Sequence, residues 1–137
     1  MINPEELEPS EADIVPERES AEAYQNKAAI FVELWAWVEE NINYINVLKG
    51  WTIVERREGE FIALIHSELS EALEALRHGN NASHVIPEVS QAEEELADAL
   101  IRIMDMSYMN KWNLPKALFL KMEYNKTRPY RHGGKLF

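Results

Sequence analysis

With 137 residues, no cysteine and 46% hydrophobic side chains, the chain has enough apolar material for one packed domain and excludes disulfides and thiolate metal sites. Acidic residues outnumber basic ones by 24 to 14, and the resulting charge of −10 opposes general binding to a nucleic-acid polymer or an anionic membrane. A phosphate-bearing ligand therefore needs a bridging cation or a local basic patch. The N-terminus lacks the basic-then-apolar pattern of a secretory signal and no apolar run approaches the ~20 residues that cross a bilayer, so a cytoplasmic protein with no membrane partner is the expectation.

Residues 1–19 place Pro4, Pro9 and Pro16 among Asp and Glu, a composition that buries too little apolar surface to offset chain entropy, and they read as a flexible acidic tail. From Ser20 to Leu48 there is no Pro or Gly. Ile30, Leu34, Trp37, Val38, Ile42, Ile45 and Leu48 recur there at helical spacing, which predicts a first helix ended by Gly50. A second helix is predicted from about Arg57 to His78, where Gly79, Asn80 and Asn81 stop it. Ser90 and Glu93 have the spacing of a capping box, so a third helix starts near Gln91 and runs to about Lys111. Asn113 caps a fourth, with Pro115 tolerated in its first turn, that reaches about Lys126. Four helices with short links predict an all-α bundle over residues 20–126, followed by a basic tail over 127–137.

On a wheel at about 100° per residue the second helix gathers Ile65, Leu69, Ala72, Leu73 and Leu76 into one apolar arc expected to face the core, and Glu68 falls inside it. A carboxylate turned towards a core must be protonated, paired or bound to a metal. Glu71 borders the same edge and Glu74 points away. On the third helix Glu95 and Asp98 share an edge with Arg102 and Asp105. Pairs three residues apart project from one side of a helix, so two such helices side by side would present Glu68, Glu71, Glu95 and Asp98 to a common hard cation, Mg²⁺ or Mn²⁺. The competing reading leaves these acids on solvated faces, with Asp98 paired to Arg102 across one turn. A di-iron bundle would call for Glu-x-x-His on two helices, and no such pair occurs.

Lys121, Asn125, Lys126, Arg128, Arg131, His132 and Lys135 cluster at the end of an otherwise acidic chain. Lys121 and Asn125 share a helix face that could look onto the metal site. The alternative is a helix C-terminus where cations meet the macrodipole. Trp35, Trp37, Trp51 and Tyr44 could stack on a base or serve core and dimer packing.

Glu68-Leu-Ser-Glu71, followed after residues 72–94 by Glu95-Leu-Ala-Asp98, resembles the paired Glu-x-x-Glu and Glu-x-x-Asp signature of MazG-like nucleotide pyrophosphohydrolases. The lead-in from Ile62 to Glu68, the run from Glu71 to Arg77 and the ending from Lys121 to Lys135 extend the resemblance over most of the chain, though not over residues 1–19. It implies a four-helix catalytic domain that oligomerises through its helices as a homodimer or dimer of dimers. It further implies Mg²⁺, with Mn²⁺ as substitute, held by Glu68, Glu71, Glu95 and Asp98. Lys121, Asn125 and Arg128 then contact the phosphates of a nucleoside triphosphate, which is hydrolysed to monophosphate and pyrophosphate by water attack at the α-phosphorus. The basic tail would contribute to phosphate binding. Within the family the alternative is an enzyme narrowed to one nucleotide, such as dUTP or a guanine nucleotide. Outside it, the alternative is a non-catalytic helical interaction module whose apolar stripes serve only assembly.

Overall fold

The computed structural model of the chain describes residues 20–51 and 58–128. The acidic segment 1–19, the connection 52–57 and residues 129–137, with Arg131, His132 and Lys135 of the basic tail, lie outside the described residues. Four helices follow one another: α1 (Ala21–Leu48), α2 (Glu58–Arg77), α3 (Gln91–Asn110) and α4 (Leu114–Lys126). The described residues form no strand, only an isolated antiparallel bridge between Ala82 and Ser90. No helix among them is long and apolar enough to cross a membrane.

The helix ends follow from local chemistry. The Ser20 hydroxyl accepts from the amide of Ala23 and starts α1, and the chain leaves that helix through Gly50 at a φ of 75°, open to glycine at little cost. Ser90 and Glu93 close the capping box at the head of α3: the Ser90 hydroxyl accepts from the Glu93 amide at 3.3 Å, and the Glu93 carboxylate accepts from the Ser90 amide at 2.8 Å. The Ser90 hydroxyl also donates to the Glu93 carboxylate at 2.7 Å, and this bond, then that of the Ser90 amide, holds the Glu93 carboxyl below its ordinary pKa. Lys111 ends α3 in the left-handed region and donates its amide to the carbonyls of Ser107 and Tyr108. The Asn113 side chain then accepts from Lys116 and opens α4, with Pro115 in its first turn.

The link between α2 and α3 is tied to itself and to the helix it feeds. Buried Ser83 receives the amides of Val85 and Ile86 on its hydroxyl, while its own amide donates to Val89. The Gln91 amide donates to the Asn81 carbonyl, and the Asn80 side chain accepts from Ala92 at 2.9 Å. These bonds tie the two ends of the link together and fix its local geometry.

The most extensive packing joins α2 to α3 as an antiparallel hairpin. Phe61 and Ile65 of α2 meet Met106 of α3, with Ile103 against them. Further along, the buried residues are Ala72, Ala92 and Ala99, whose single methyl groups let the two helices approach closely. Helix α1 lies on α3, and α4 lies on α1, where Phe119 meets Tyr24 and Phe31 edge-on at centroid distances of 6.1 and 5.6 Å.

The apolar pattern is only partly absorbed by this packing. Leu69, Leu73 and Leu76, expected to face the core, remain exposed, Leu76 by 58%. On α1 only Ile42 of the predicted stripe is buried, and Trp37 is 61% exposed. The reason is geometric: the α2–α3 seam takes up one edge of the arc, and no further helix among the described residues covers the rest. Among the described residues Ser107, not a large apolar residue, is the side chain buried completely.

Candidate metal centre

The hairpin positions three of the four predicted ligands together. Glu68 is buried at 6% exposure on the α2 edge that turns into the seam, Glu71 sits one turn on and is exposed, and half-buried Glu95 meets them from α3. One carboxylate oxygen from each lies within 4.8 Å of the others. Oxygens around Mg²⁺ stand about 3.0 Å apart at adjacent positions and about 4.2 Å apart at opposite ones, at a bond length of about 2.1 Å, so the three carboxylates would have to draw together to share such an ion. Ser67 donates to Glu71 at 3.2 Å and steadies one of them.

Electrostatics mark the same place. The Glu95 carboxyl is pushed up to about 7, first by burial, then by the charge of Glu71 and by a hydrogen bond to Glu68. Its proton stands where a cation would stand, relieving the repulsion among neighbouring acids. Asp98, the fourth predicted ligand, is not within that tight group. Its pKa is nevertheless raised, first by partial burial of its carboxyl and next by the charge of Glu68, against the opposing pull of Arg102. It therefore belongs to the same field, one turn from Glu95.

The sequence leaves open an ion pair between Arg102 and Asp98; in the structure Arg102 pairs with Glu68. The Nε and Nη2 of Arg102 both reach Oε1 of Glu68 at 2.6 Å. Both nitrogens converge on one oxygen, which leaves Oε2 outside the pair. Glu74, read as pointing away, pairs with Arg77 and His78 at the end of α2.

The basic residues of α4 are not at this centre within one chain. Tyr24 contacts Glu123 near the end of α4, whereas Asn46 borders the cleft that contains Asp98. The stretch of α1 between them spans about 33 Å at ~1.5 Å per residue. Lys121, Asn125 and Arg128 are exposed at the far end, with Lys121 over the Tyr124 ring at 4.6 Å. The shared face of Lys121 and Asn125 thus does not look onto the carboxylates of its own chain, because α4 packs along α1 rather than along the hairpin.

Two clefts flank the three glutamates. One of about 410 Å³, beside Glu71 and Glu95, reaches His78 and His84. The other, about 390 Å³, lies between α1 and α3 and holds Asn46, Trp51, Asp98, Arg102 and Asp105. Asp105 was visible in the sequence only as a residue on the Asp98 edge. Buried Asn46 gave no signal in the apolar pattern of α1. Comparison with protein-family models, curated proteins and solved structures finds no match to this chain.

Proposed function

We propose that the chain is a cytoplasmic, Mg²⁺-dependent nucleoside triphosphate diphosphatase that converts (d)NTPs to (d)NMPs and pyrophosphate. The observation that carries this reading is the convergence of Glu68, Glu71 and Glu95 across the α2–α3 seam, with a carboxyl among them whose pKa stands near 7. Their oxygens suit a hard cation, and Asp98, one turn from Glu95, would move in as fourth ligand or hold a bound water. When bound, Mg²⁺ supplies charge neutralisation for the triphosphate and a lowered pKa for water. The chain's own groups orient: Arg102 fixes Glu68, Ser67 fixes Glu71, and the capped link fixes the register of the two pairs. The MazG-like resemblance of the motifs adds to this reading and supplies its reaction type.

The exposed apolar faces support a homodimer or dimer of dimers as the working form. Two copies packed with their α1 helices antiparallel would cover Trp37 and Leu34 and bring the basic end of one α4 towards the carboxylates of the other chain. Lys121, Asn125 and Arg128 then serve as phosphate contacts across that interface.

The second reading, a non-catalytic assembly module, draws on the Arg102–Glu68 pair, which satisfies the buried charge without a metal. A panel of canonical and modified NTPs and dNTPs with Mg²⁺, with products resolved by chromatography, separates the two. Monophosphate plus pyrophosphate is the expected product pair; no turnover from folded protein with Mg²⁺ leaves the assembly module.

A further inference from the structure

A cavity of about 530 Å³ opens between the middle of α1 and the turn that joins α3 to α4. Trp35 and Glu39 line it from α1, and Tyr108, Lys111 and Trp112 line it from the turn. It lies apart from the glutamate centre: Ser107, which borders it, follows Glu95 by about 18 Å along α3 at ~1.5 Å per residue. Trp35 and Glu39 also sit about 150° around α1 from Leu34 and Trp37, so a second copy packed on that outer face leaves the cavity open.

A carboxylate in this cavity has one oxygen to spare. Glu39 is 9% exposed. The Trp35 indole donates to its Oε1 at 2.7 Å, and among the described residues nothing donates to its Oε2. Asp105 Oδ1 is the sealed acceptor without a partner among the described residues. Glu39 Oε2 is not sealed in that way and stays open to a ligand atom. A carboxylate held this deep calls for further donors or a cation. Lys111 is exposed at the rim and forms no ion pair with it among the described residues.

The aromatic walls are fixed before any ligand arrives. Phe31 braces Trp35 at a centroid distance of 5.7 Å. The Ser107 hydroxyl donates to the Trp112 carbonyl at 3.2 Å, and the Trp112 amide donates back to the Ser107 carbonyl at 3.0 Å, which sets the turn. Tyr108 and Trp112 keep exposed ring surface. A cavity of this size, walled mostly by apolar and aromatic groups around one charged group, has the make-up of a small-molecule site. Indole and phenol faces attract cations, and the carboxylate fixes where the positive charge goes.

We propose that this cavity binds a small amine with a flat apolar body, its primary ammonium donating to Glu39 Oε2 and its body lying among Trp35, Tyr108 and Trp112. An ammonium only donates and a carboxylate oxygen only accepts, so the two are matched. A quaternary ammonium has no N–H to give, and a hydroxyl brings no charge. The site does not depend on the reading of the chain as a hydrolase.

The test is titration calorimetry on the full chain without nucleotide or Mg²⁺. Tryptamine is compared with tryptophol, which replaces the ammonium by a hydroxyl, and with butylamine, which keeps the ammonium and drops the ring. Tryptamine is expected to bind about tenfold or more tightly than either, the factor that a hydrogen bond between charged groups or the burial of a ring supplies. Glu39→Gln keeps an acceptor for Trp35; with helicity checked by circular dichroism, it should cost tryptamine about tenfold and leave tryptophol unchanged. Trp112→Ala, at an exposed position, should weaken both ligands. Lys111→Met should tighten tryptamine alone, because it removes a like charge from the rim. Equal binding of tryptamine and tryptophol, a preference untouched by Glu39→Gln, or binding indifferent to Trp112→Ala would each overturn the proposal. Butylamine bound as tightly as tryptamine overturns it in favour of a site for a lysine side chain. Binding that is absent in the native chain and gained in Lys111→Met makes Lys111 the cation of Glu39 and overturns it as well.

Discussion

Along the α2–α3 hairpin, small residues and a Phe61–Ile65–Met106 cluster bring two helices together closely enough to bury a glutamate. The arm made by α1 and α4 is held instead by a few aromatic edges, and leaves Ile30, Leu34, Trp37 and Leu48 in water. Both regions have similar apolar content in sequence, yet only the hairpin finds its complement within the chain. Apolar periodicity thus reports that a face will be covered without reporting which surface covers it. An acidic cluster built within one chain beside an uncovered apolar surface fits the proposed assembly, in which a second copy would cover that surface.

The largest effect expected on this contrast is at the site itself. If the chain is the proposed hydrolase, Glu68→Gln and Asp98→Asn should each lower triphosphate turnover by about 100-fold or more while far-ultraviolet circular dichroism stays unchanged, since each removes a charge from the proposed metal site and keeps the shape. A loss confined to Glu68→Gln would assign Asp98 to the field around the ion and not to its coordination. In the hairpin core, Phe61→Ala should cost about 3–5 kcal/mol in denaturant unfolding. Leu34→Asp with Trp37→Asp on the arm should instead shift sedimentation towards the monomer at a smaller cost in helicity. If the double variant sediments like the wild type, the arm is not the assembly surface.

A pH-dependent effect of a few degrees should separate the regions more finely. Without Mg²⁺, the folded chain keeps a proton on Glu95 up to about pH 7, whereas the unfolded chain has an ordinary carboxyl near 4.5. The folded state binds the extra proton between those values, so stability contributed by this group is lost as pH rises through about 7. The melting midpoint should fall between pH 5 and pH 8, and millimolar Mg²⁺ should restore it at pH 8, where the ion takes the place of the proton. Glu95→Gln should flatten both responses; a midpoint that rises with pH in the wild type would contradict the assignment. Smallest of all, Glu74→Gln should leave turnover within about twofold, because its partners are exposed Arg77 and His78.

Helix positions and two of the caps were legible in the sequence because they depend on neighbours within one turn: the Ser90–Glu93 box and Asn113 act where their spacing placed them, whereas the Ser20 cap of α1 shows only in the structure. Glu68 was legible for a similar reason, being the acid inside an apolar arc. The partner of Arg102 was not. Asp98 is nearer along the chain, but the antiparallel hairpin brings Glu68 to the guanidinium from the other helix. Nor was the separation of Lys121 from the carboxylates, which follows from α4 turning back along α1. Asp105 and Asn46 are two among many polar residues of their helices, and only tertiary packing shows that both border one cleft.

The self-bonded link at residues 79–90 has one more consequence. The hydrogen bonds of Asn80, Asn81 and Ser83 act as a gauge that sets how far α3 is drawn back along α2. Lengthening it by one residue would let α3 slide by about 1.5 Å and turn by about 100°, which carries Glu95 off the edge it shares with Glu68. Insertions there should therefore silence the acidic centre while both helices persist, so that the tolerance of this short segment to change is a measure of chemistry more than of folding.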